Sequence, residues 1–278
     1  MNSEIIQEQR KSWNEVSSGW KKWNKNINQW YQPISGKIIE LAEINSNSNV
    51  LDIATGPGEP GLTAAKHAAN GLVTGIDISD EMVKIANQFA RERNIGNYKA
   101  IHYDGINLPF ADNHFDAVIS RCGIFFFPDT HHILKEIFRV LKPGSRVSVS
   151  AWCDITENES SLLVEKIATE YLKHSFPKDS PGPFRFSDPT MLISEFEGAG
   201  FRNIKKVNVS GEGVFNSKED FWNFISEMQK PFIDALKDSN AETRNALRGE
   251  VFKASEKYHK NGKLIFKRSA YCVGGMKP

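Results

Sequence analysis

Over the first 44 residues the apolar positions recur at helical spacing. Trp13, Val16, Trp20 and Trp23 fall three and four residues apart and so line one face. This predicts two helical segments across residues 4–44, broken near Pro33. From Asn49 the period changes. Short apolar runs bounded by Gly, Asn, Asp or Pro predict strands at 50–54, 72–78, 98–103, 116–120 and 146–152. Between them, helical patterns fall at 61–70, 80–93 and 129–141. Ser79 or Asp80 can cap the second of these, and Lys142-Pro143-Gly144 stops the third. Strand and helix in alternation imply a parallel sheet covered on both faces, with right-handed crossovers.

After Trp152 the rhythm loosens. A helical insert is expected at 158–174, and a loop carrying prolines and aromatics at 177–189. A helix at 189–199 ends at Gly200, and a strand follows at 201–210. A second insert, 218–261, has the pattern of one or two amphipathic helices, and 264–273 alternates as a closing strand. No segment repeats. One domain fits better than two, because the last strands are needed to complete the sheet. Its parts would be a helical cap (1–45), a core (46–152), helical inserts forming a lid (153–200 and 211–262), and the final strands (201–210 and 264–275).

The stretch Val50 to Gly61, VLDIATGPGEPG, carries the first chemistry. A buried strand runs into a glycine turn and then a helix, whose free N–H groups face the turn. Gly56 and Gly58 open backbone conformations closed to other residues and let a ligand approach the main chain. Gly56, Gly58 and Gly61 also satisfy G-x-G-x-x-G, so a dinucleotide site is a rival reading. Ligands of such sheets bind beyond the carboxyl ends of the strands, at the switch in strand order. Further features converge there. Asp77 ends the second strand, about 20 residues after the loop, where a carboxylate can accept from both ribose hydroxyls. Asp104-Gly105 follows the third strand, where an acid can accept from an adenine amine. Ser120 ends the fourth, and Met82 can lie against a flat ring.

Composition removes several function classes. A formal net charge of +1 among 278 residues gives no field to gather nucleic acid. The group Lys21, Lys22, Lys25 reads as a wetted helix face. The polar N-terminus lacks a signal-peptide core, and no apolar run is long enough to span a membrane. Cys122, Cys153 and Cys272 are too widely spaced for a disulfide framework or a metal site. A cytoplasmic protein is expected, and a homodimer is left open.

Taken in order, VLDIATGPGEPG, GIDISDEM, YDGINLPFADNHFDAVIS and FRVLKPGSRV resemble the successive motifs of class I S-adenosylmethionine-dependent methyltransferases. The small-molecule branch that includes the ubiquinone and menaquinone methyltransferases is the most similar. The resemblance covers Asn49 to Trp152, and GPFRFSDPTMLISEFEGAGF resembles a later helix and strand of the same branch. It implies a Rossmann-like α/β fold, with a mostly parallel seven-stranded sheet whose last strand is antiparallel. It also implies S-adenosyl-L-methionine as cofactor. By position, Ala54, Gly56 and Gly58 would approach its methionine part, Asp77 would hold the ribose, and Ile78 and Met82 would flank the adenine. Asp104 and Gly105 would meet the amino edge, and Ser120 the sulfonium side. The third glycine, Gly61, would then be incidental. Glu59 departs from the usual loop pattern and is expected to point into water.

Methyl transfer from a sulfonium is an in-line displacement that relies on positioning and exclusion of water. A base is needed only where the acceptor loses a proton, and no catalytic residue is singled out. His102, beside the motif cluster, reads as structural. Trp13 and Trp20 match the aromatic-bearing N-terminal helix that caps the cofactor in related enzymes, with Trp20 against the cofactor. Trp13, Phe126, Arg185, Phe186 and Trp222 are the expected acceptor wall, suited to a small, largely apolar or aromatic molecule. Two other readings remain open at this point, an NAD(P)-dependent oxidoreductase and an S-adenosylmethionine-binding protein without catalysis.

Overall fold

The computed structural model describes residues 2–103, 105–172, 181–237 and 239–278. Helices α1 (Asn2–Lys22) and α2 (Asn24–Leu41) precede strand β1 (Asn49–Ile53). Then come α3 (Gly61–His67), β2 (Leu72–Asp77), α4 (Asp80–Glu92), β3 (Tyr98–His102), β4 (Phe115–Arg121), α5 (Thr130–Val140) and β5 (Leu141–Trp152). The remainder holds α6 (Glu159–Leu172), α7 (Pro189–Ala199), β6 (Arg202–Phe215), α8 (Lys218–Met228), α9 (Lys230–Lys237) and α10 (Ala241–Ser255). It closes with the two-residue β7 (His259–Lys260) and with β8 (Lys263–Met276).

The sheet runs β3-β2-β1-β4-β5-β8-β6, with β7 attached to β8. β1 to β5 pair in parallel, and β8 is antiparallel to both β5 and β6. This is the expected seven-stranded arrangement with one short added strand. Strand order reverses between β2 and β4 on either side of β1, so the carboxyl ends of these strands border the crevice. One face is sealed by α5 and α7 over Leu51, Ile53, Val118, Val147 and Val149. The other is covered by α2, α3 and α4 over Val50, Val73, Ala117, Ile119 and Cys272. A third cluster joins α2, α6, α8 and α10 to the β6–β8 hairpin through Trp23, Trp30, Phe215, Phe221 and Phe266.

Three expectations need correction. The break between the first helices falls at Trp23, and Pro33 lies inside α2. Trp30, Ile34, Ile38 and Ile39 are all buried on that helix, and this packing outweighs the ~3 kcal/mol that an interior proline costs. Trp23 turns instead to pack on Phe224 at 5.5 Å, with its Nε1 donating to Glu227 Oε2 (2.8 Å). β5 begins at Leu141, so Lys142-Pro143-Gly144 sits within an irregular strand entry, where the pairing shifts between Phe115 and Ala117. Finally, β6 extends to Phe215, and the second insert holds three helices. The alternation of that long hairpin past β5 is sustained by aromatic packing rather than by a further strand.

Candidate active site

The loop after β1 is built from left-handed backbone. Ala54 (φ +53°), Gly56 (φ +53°) and Gly58 (φ +108°) all have positive φ. Asp52, fully buried beneath, holds the loop to α3 by accepting from Gly61 N–H (2.9 Å) and the Thr55 hydroxyl. Burial pushes the Asp52 carboxyl up to about 7, against the pull of those two donors. The glycines do different things. A Cβ on Gly56 would meet nothing within 4 Å, so that face of the loop is open. One on Gly58 would lie 2.7 Å from Leu62, and one on Gly61 would lie 2.6 Å from Asp52 Oδ2. Gly61 is therefore required by packing, not incidental. Glu59 does not reach water either: it is 8% exposed, pairs with Arg93 (2.7 Å) and accepts from Thr63.

Asp77 closes β2 with its carboxylate turned to this loop. Oδ2 accepts from Gly56 N–H (2.8 Å) and Oδ1 from Ser79 N–H (2.9 Å). Burial raises its pKa to about 6, with the two N–H donors opposing. Ser79 caps α4 by accepting from Met82 N–H (3.1 Å), and Met82 is 2% exposed. Ile78 stands half-buried beside Gly105 (φ +86°), where Ile6 of α1 also approaches. Asp104 lies outside the described residues. His102 sits with Nε2 3.8 Å from Asp80, more than a third exposed.

Ser120 is fully buried and donates to the Ile53 carbonyl (2.8 Å), which ties β4 to β1. The chain then turns sharply at Cys122 (φ +55°) and Gly123, where a Cβ would come within 2.6 Å of Ala54. Phe126 follows in a single tight turn. Its ring meets Trp13 edge-on at 4.9 Å, and Trp13 meets Trp20 at 6.2 Å. The Trp20 indole Nε1 is buried and has no partner among the described residues. Arg185 donates to the Phe127 carbonyl (2.6 Å) and lies 5.3 Å from Phe186. The structure brings Trp13, Trp20 and Phe126 together, but it disperses the rest of the expected wall. Phe186 is core, 3% exposed, with its carbonyl accepting from the Tyr271 hydroxyl. Trp222 packs on Phe232 (5.8 Å) within the helical insert.

The polar bonds that α1 contributes were not foreseeable from local spacing. Asn14 Oδ1 accepts from Ser79 Oγ (2.6 Å), Arg10 pairs with Asp80, and Gln9 Nε2 donates to the Phe126 carbonyl (2.8 Å). One helix thus reaches from the start of α4, just after β2, to the turn after β4. The signal existed only as ordinary polar residues on the helix face next to Trp13. Among the described residues no group of three or more His, Cys, Asp or Glu is placed to hold a metal. No helix among them is long and apolar enough to cross a membrane.

A methyltransferase-domain family model matches residues 44–181. The demethylmenaquinone methyltransferase of Listeria welshimeri is 28% identical over 188 residues, spanning 63% of this chain and 79% of that protein. The one from Staphylococcus haemolyticus is 29% identical over 189 residues, 63% and 77%. In structure, the YcgJ protein of Bacillus subtilis superposes with a TM-score of 0.57 at 20% identity, over 87% of this chain and 97% of that one. A putative methyltransferase of Bacillus halodurans gives 0.55 at 19%, over 88% and 98%. Motif order, fold, family model and relatives agree in supporting a class I S-adenosylmethionine-dependent methyltransferase. Within that class the chain resembles the menaquinone methyltransferases, and the oxidoreductase and non-catalytic readings are not favoured.

Proposed function

We propose that the crevice beyond β1, β2 and β4 holds S-adenosylmethionine, and that the aromatic group under α1 presents a flat, largely apolar acceptor to it. The observation that carries this reading is Asp77. A nearly buried carboxylate with only backbone N–H partners stands across from the open face of Gly56. Its free lone pairs suit a vicinal diol, and the empty space over Gly56 suits close approach of a ligand to main chain. Ile78, Met82 and Gly105 would enclose the adenine. Ala54 and Gly58 would shape the loop at the methionine end, and Ser120 would fix the β4–β1 junction beneath it. Asp104 is retained in its sequence-based role at the amino edge.

When bound, the donor supplies an electrophilic methyl group on a sulfonium. The protein then has to orient the acceptor and keep water out. Trp13 and Phe126 would wall the acceptor ring, and the unpaired Trp20 Nε1–H would donate to whichever polar group lies beneath α1. Arg185 holds the Phe127 carbonyl and so would act on the shape of that wall, while Trp222 and Phe186 would support the insert and the core. The name of the curated relatives supports a ring of the reduced-quinone kind as acceptor. We read residues 1–278 as one methyltransferase domain, with the inserts closing over the acceptor.

The test pairs calorimetry with product analysis. S-adenosylhomocysteine should bind the wild type, and binding should weaken more than tenfold in Asp77→Ala. With S-adenosylmethionine, a reduced menaquinone-type quinol should gain one methyl group. No binding of S-adenosylhomocysteine would sink the donor site; binding without methylation of any aromatic acceptor would sink the acceptor class.

A further inference from the structure

Two cations lie in the interior without an ion pair among the described residues, although the buried Asp52 carboxyl acts on Arg121 at longer range. Arg121, the last residue of β4, and Arg268, on β8, are each 9% exposed. Among the described residues neither has a carboxylate within ion-pair reach. Their partners are neutral. Arg121 donates to Ser35 Oγ (3.0 Å) and Asn28 Oδ1 (3.3 Å), and Arg268 to the Tyr31 hydroxyl (2.8 Å). The Nε–H of Arg268 is buried and donates to nothing among the described residues.

The two guanidiniums belong to one cluster. Ala117 and Ile119, four and two residues before Arg121, pack on the α2 side of the sheet, as do Ala270 and Cys272, two and four residues after Arg268. Strand alternation therefore turns both arginines to that side. Both lie 5.5 Å from the Tyr31 ring, and Arg268 also lies 5.0 Å from Trp30. Ring faces and neutral oxygens lessen the cost of burying a cation, but they leave its charge uncancelled. The fold even makes room for it. A Cβ at Gly213 would fall 2.6 Å from Arg268 Nε, so only glycine lets the guanidinium lie against β6. A cavity of about 10 Å³, lined in part by Trp30, Tyr31, Trp152, Ser210 and Arg268, leaves space for one water-sized group beside the cation.

This cluster also adjoins the donor loop. Arg121 directly follows Ser120, and the Cys122-Gly123 turn after it packs on Ala54.

We propose that Arg121 and Arg268 receive an anionic oxygen of the methyl acceptor, which makes the acceptor an aromatic molecule bound with an ionised oxygen, as a quinol phenolate or a ring carboxylate is. The inference rests on the methyl-donor reading above and adds to it the charge of the substrate. Two guanidiniums and the Tyr31 hydroxyl would supply charge-assisted hydrogen bonds to an oxygen that fits the space beside Arg268. A neutral acceptor would leave both cations as they stand.

The experiment compares benzoate with its neutral isostere benzamide, on the full chain with S-adenosylhomocysteine present, by thermal shift and calorimetry. Benzoate should raise the melting temperature of the wild type and benzamide should not. In Arg268→Met, benzoate affinity should fall about tenfold or more, while the shift given by S-adenosylhomocysteine alone is kept. Arg121→Met provides the same comparison if the first variant does not fold. Equal effects of benzoate and benzamide on the wild type would overturn the proposal, as would benzoate discrimination that survives in a folded variant. Loss of the S-adenosylhomocysteine shift in the wild type is a different outcome, and it would remove the donor reading beneath this one.

Discussion

The proposed donor and acceptor halves of the crevice are made of different materials. Around β1, β2 and β3 the donor half is mostly backbone: left-handed turns at Ala54, Gly56 and Gly58, and N–H groups held by Asp52 and Asp77. Around β4, β5 and β8 the other half is mostly side chain: Trp13, Trp20 and Phe126 above, Tyr31, Arg121 and Arg268 below. The first comes from one continuous stretch of sequence. The second is assembled from α1, α2, β4 and β8, which are far apart in the chain. A shared donor can be held by main-chain geometry, which tolerates sequence change. A particular acceptor needs particular side chains.

Substitutions can break this contrast or sharpen it. The largest effect is expected from Asp77→Ala, which should cost donor binding roughly 1.5–3 kcal/mol and leave benzoate affinity within twofold, measured by paired calorimetry. Equal loss at both ligands would mean that the halves are not separate. Acid should act next, and on the donor half alone. Asp77 titrates near 6 and Asp52 near 7, both raised by burial above 3.8. Raised carboxyls favour the folded state at low pH, and that contribution is lost as pH climbs through about 6 to 7. Donor affinity should run the other way, falling towards tenfold per unit below about pH 6 as Asp77 takes up a proton. Calorimetry of S-adenosylhomocysteine between pH 5 and pH 8, set against melting temperature, tests these opposite slopes.

Gly213→Ala probes the side-chain half through its packing. Pushing Arg268 from β6 should cost about 1–3 kcal/mol of stability and weaken benzoate, with donor affinity unchanged, as read by denaturant titration and thermal shift. The smallest effect belongs to the bridge between the halves. Asn14→Ala removes the bond to Ser79 and should weaken S-adenosylhomocysteine by about 0.5–1.5 kcal/mol, while the far-ultraviolet circular dichroism stays the same.

The same contrast explains what could be read before any fold was known. Strand and helix order, Asp77 and the glycine loop were visible because local spacing encodes them, and the expected mostly parallel sheet with an antiparallel last strand is the one observed. Pro33 misled, since tertiary burial along α2 overrides a local breaker. Gly61 and Gly213 carried signals with no local meaning: each is glycine because of an atom that arrives from elsewhere, Asp52 Oδ2 in one case and Arg268 Nε in the other. The proposed acceptor wall was legible only in part. Aromatic composition marks Phe126, Phe186 and Trp222 alike, and only packing separates a ring at the crevice from one in the core.

Helix α1 is fastened to both rims, to Ser79 and Asp80 on one side and to Phe126 on the other. On the proposed reading, anything lodged beneath it would come or go only when those bonds part together. The departure of α1 would then be a step in every cycle, taken twice, and slowed by the same contacts that keep water from the sulfonium. Such an enzyme would be timed by a door: the tighter it shut, the purer its chemistry and the longer each product would wait to leave.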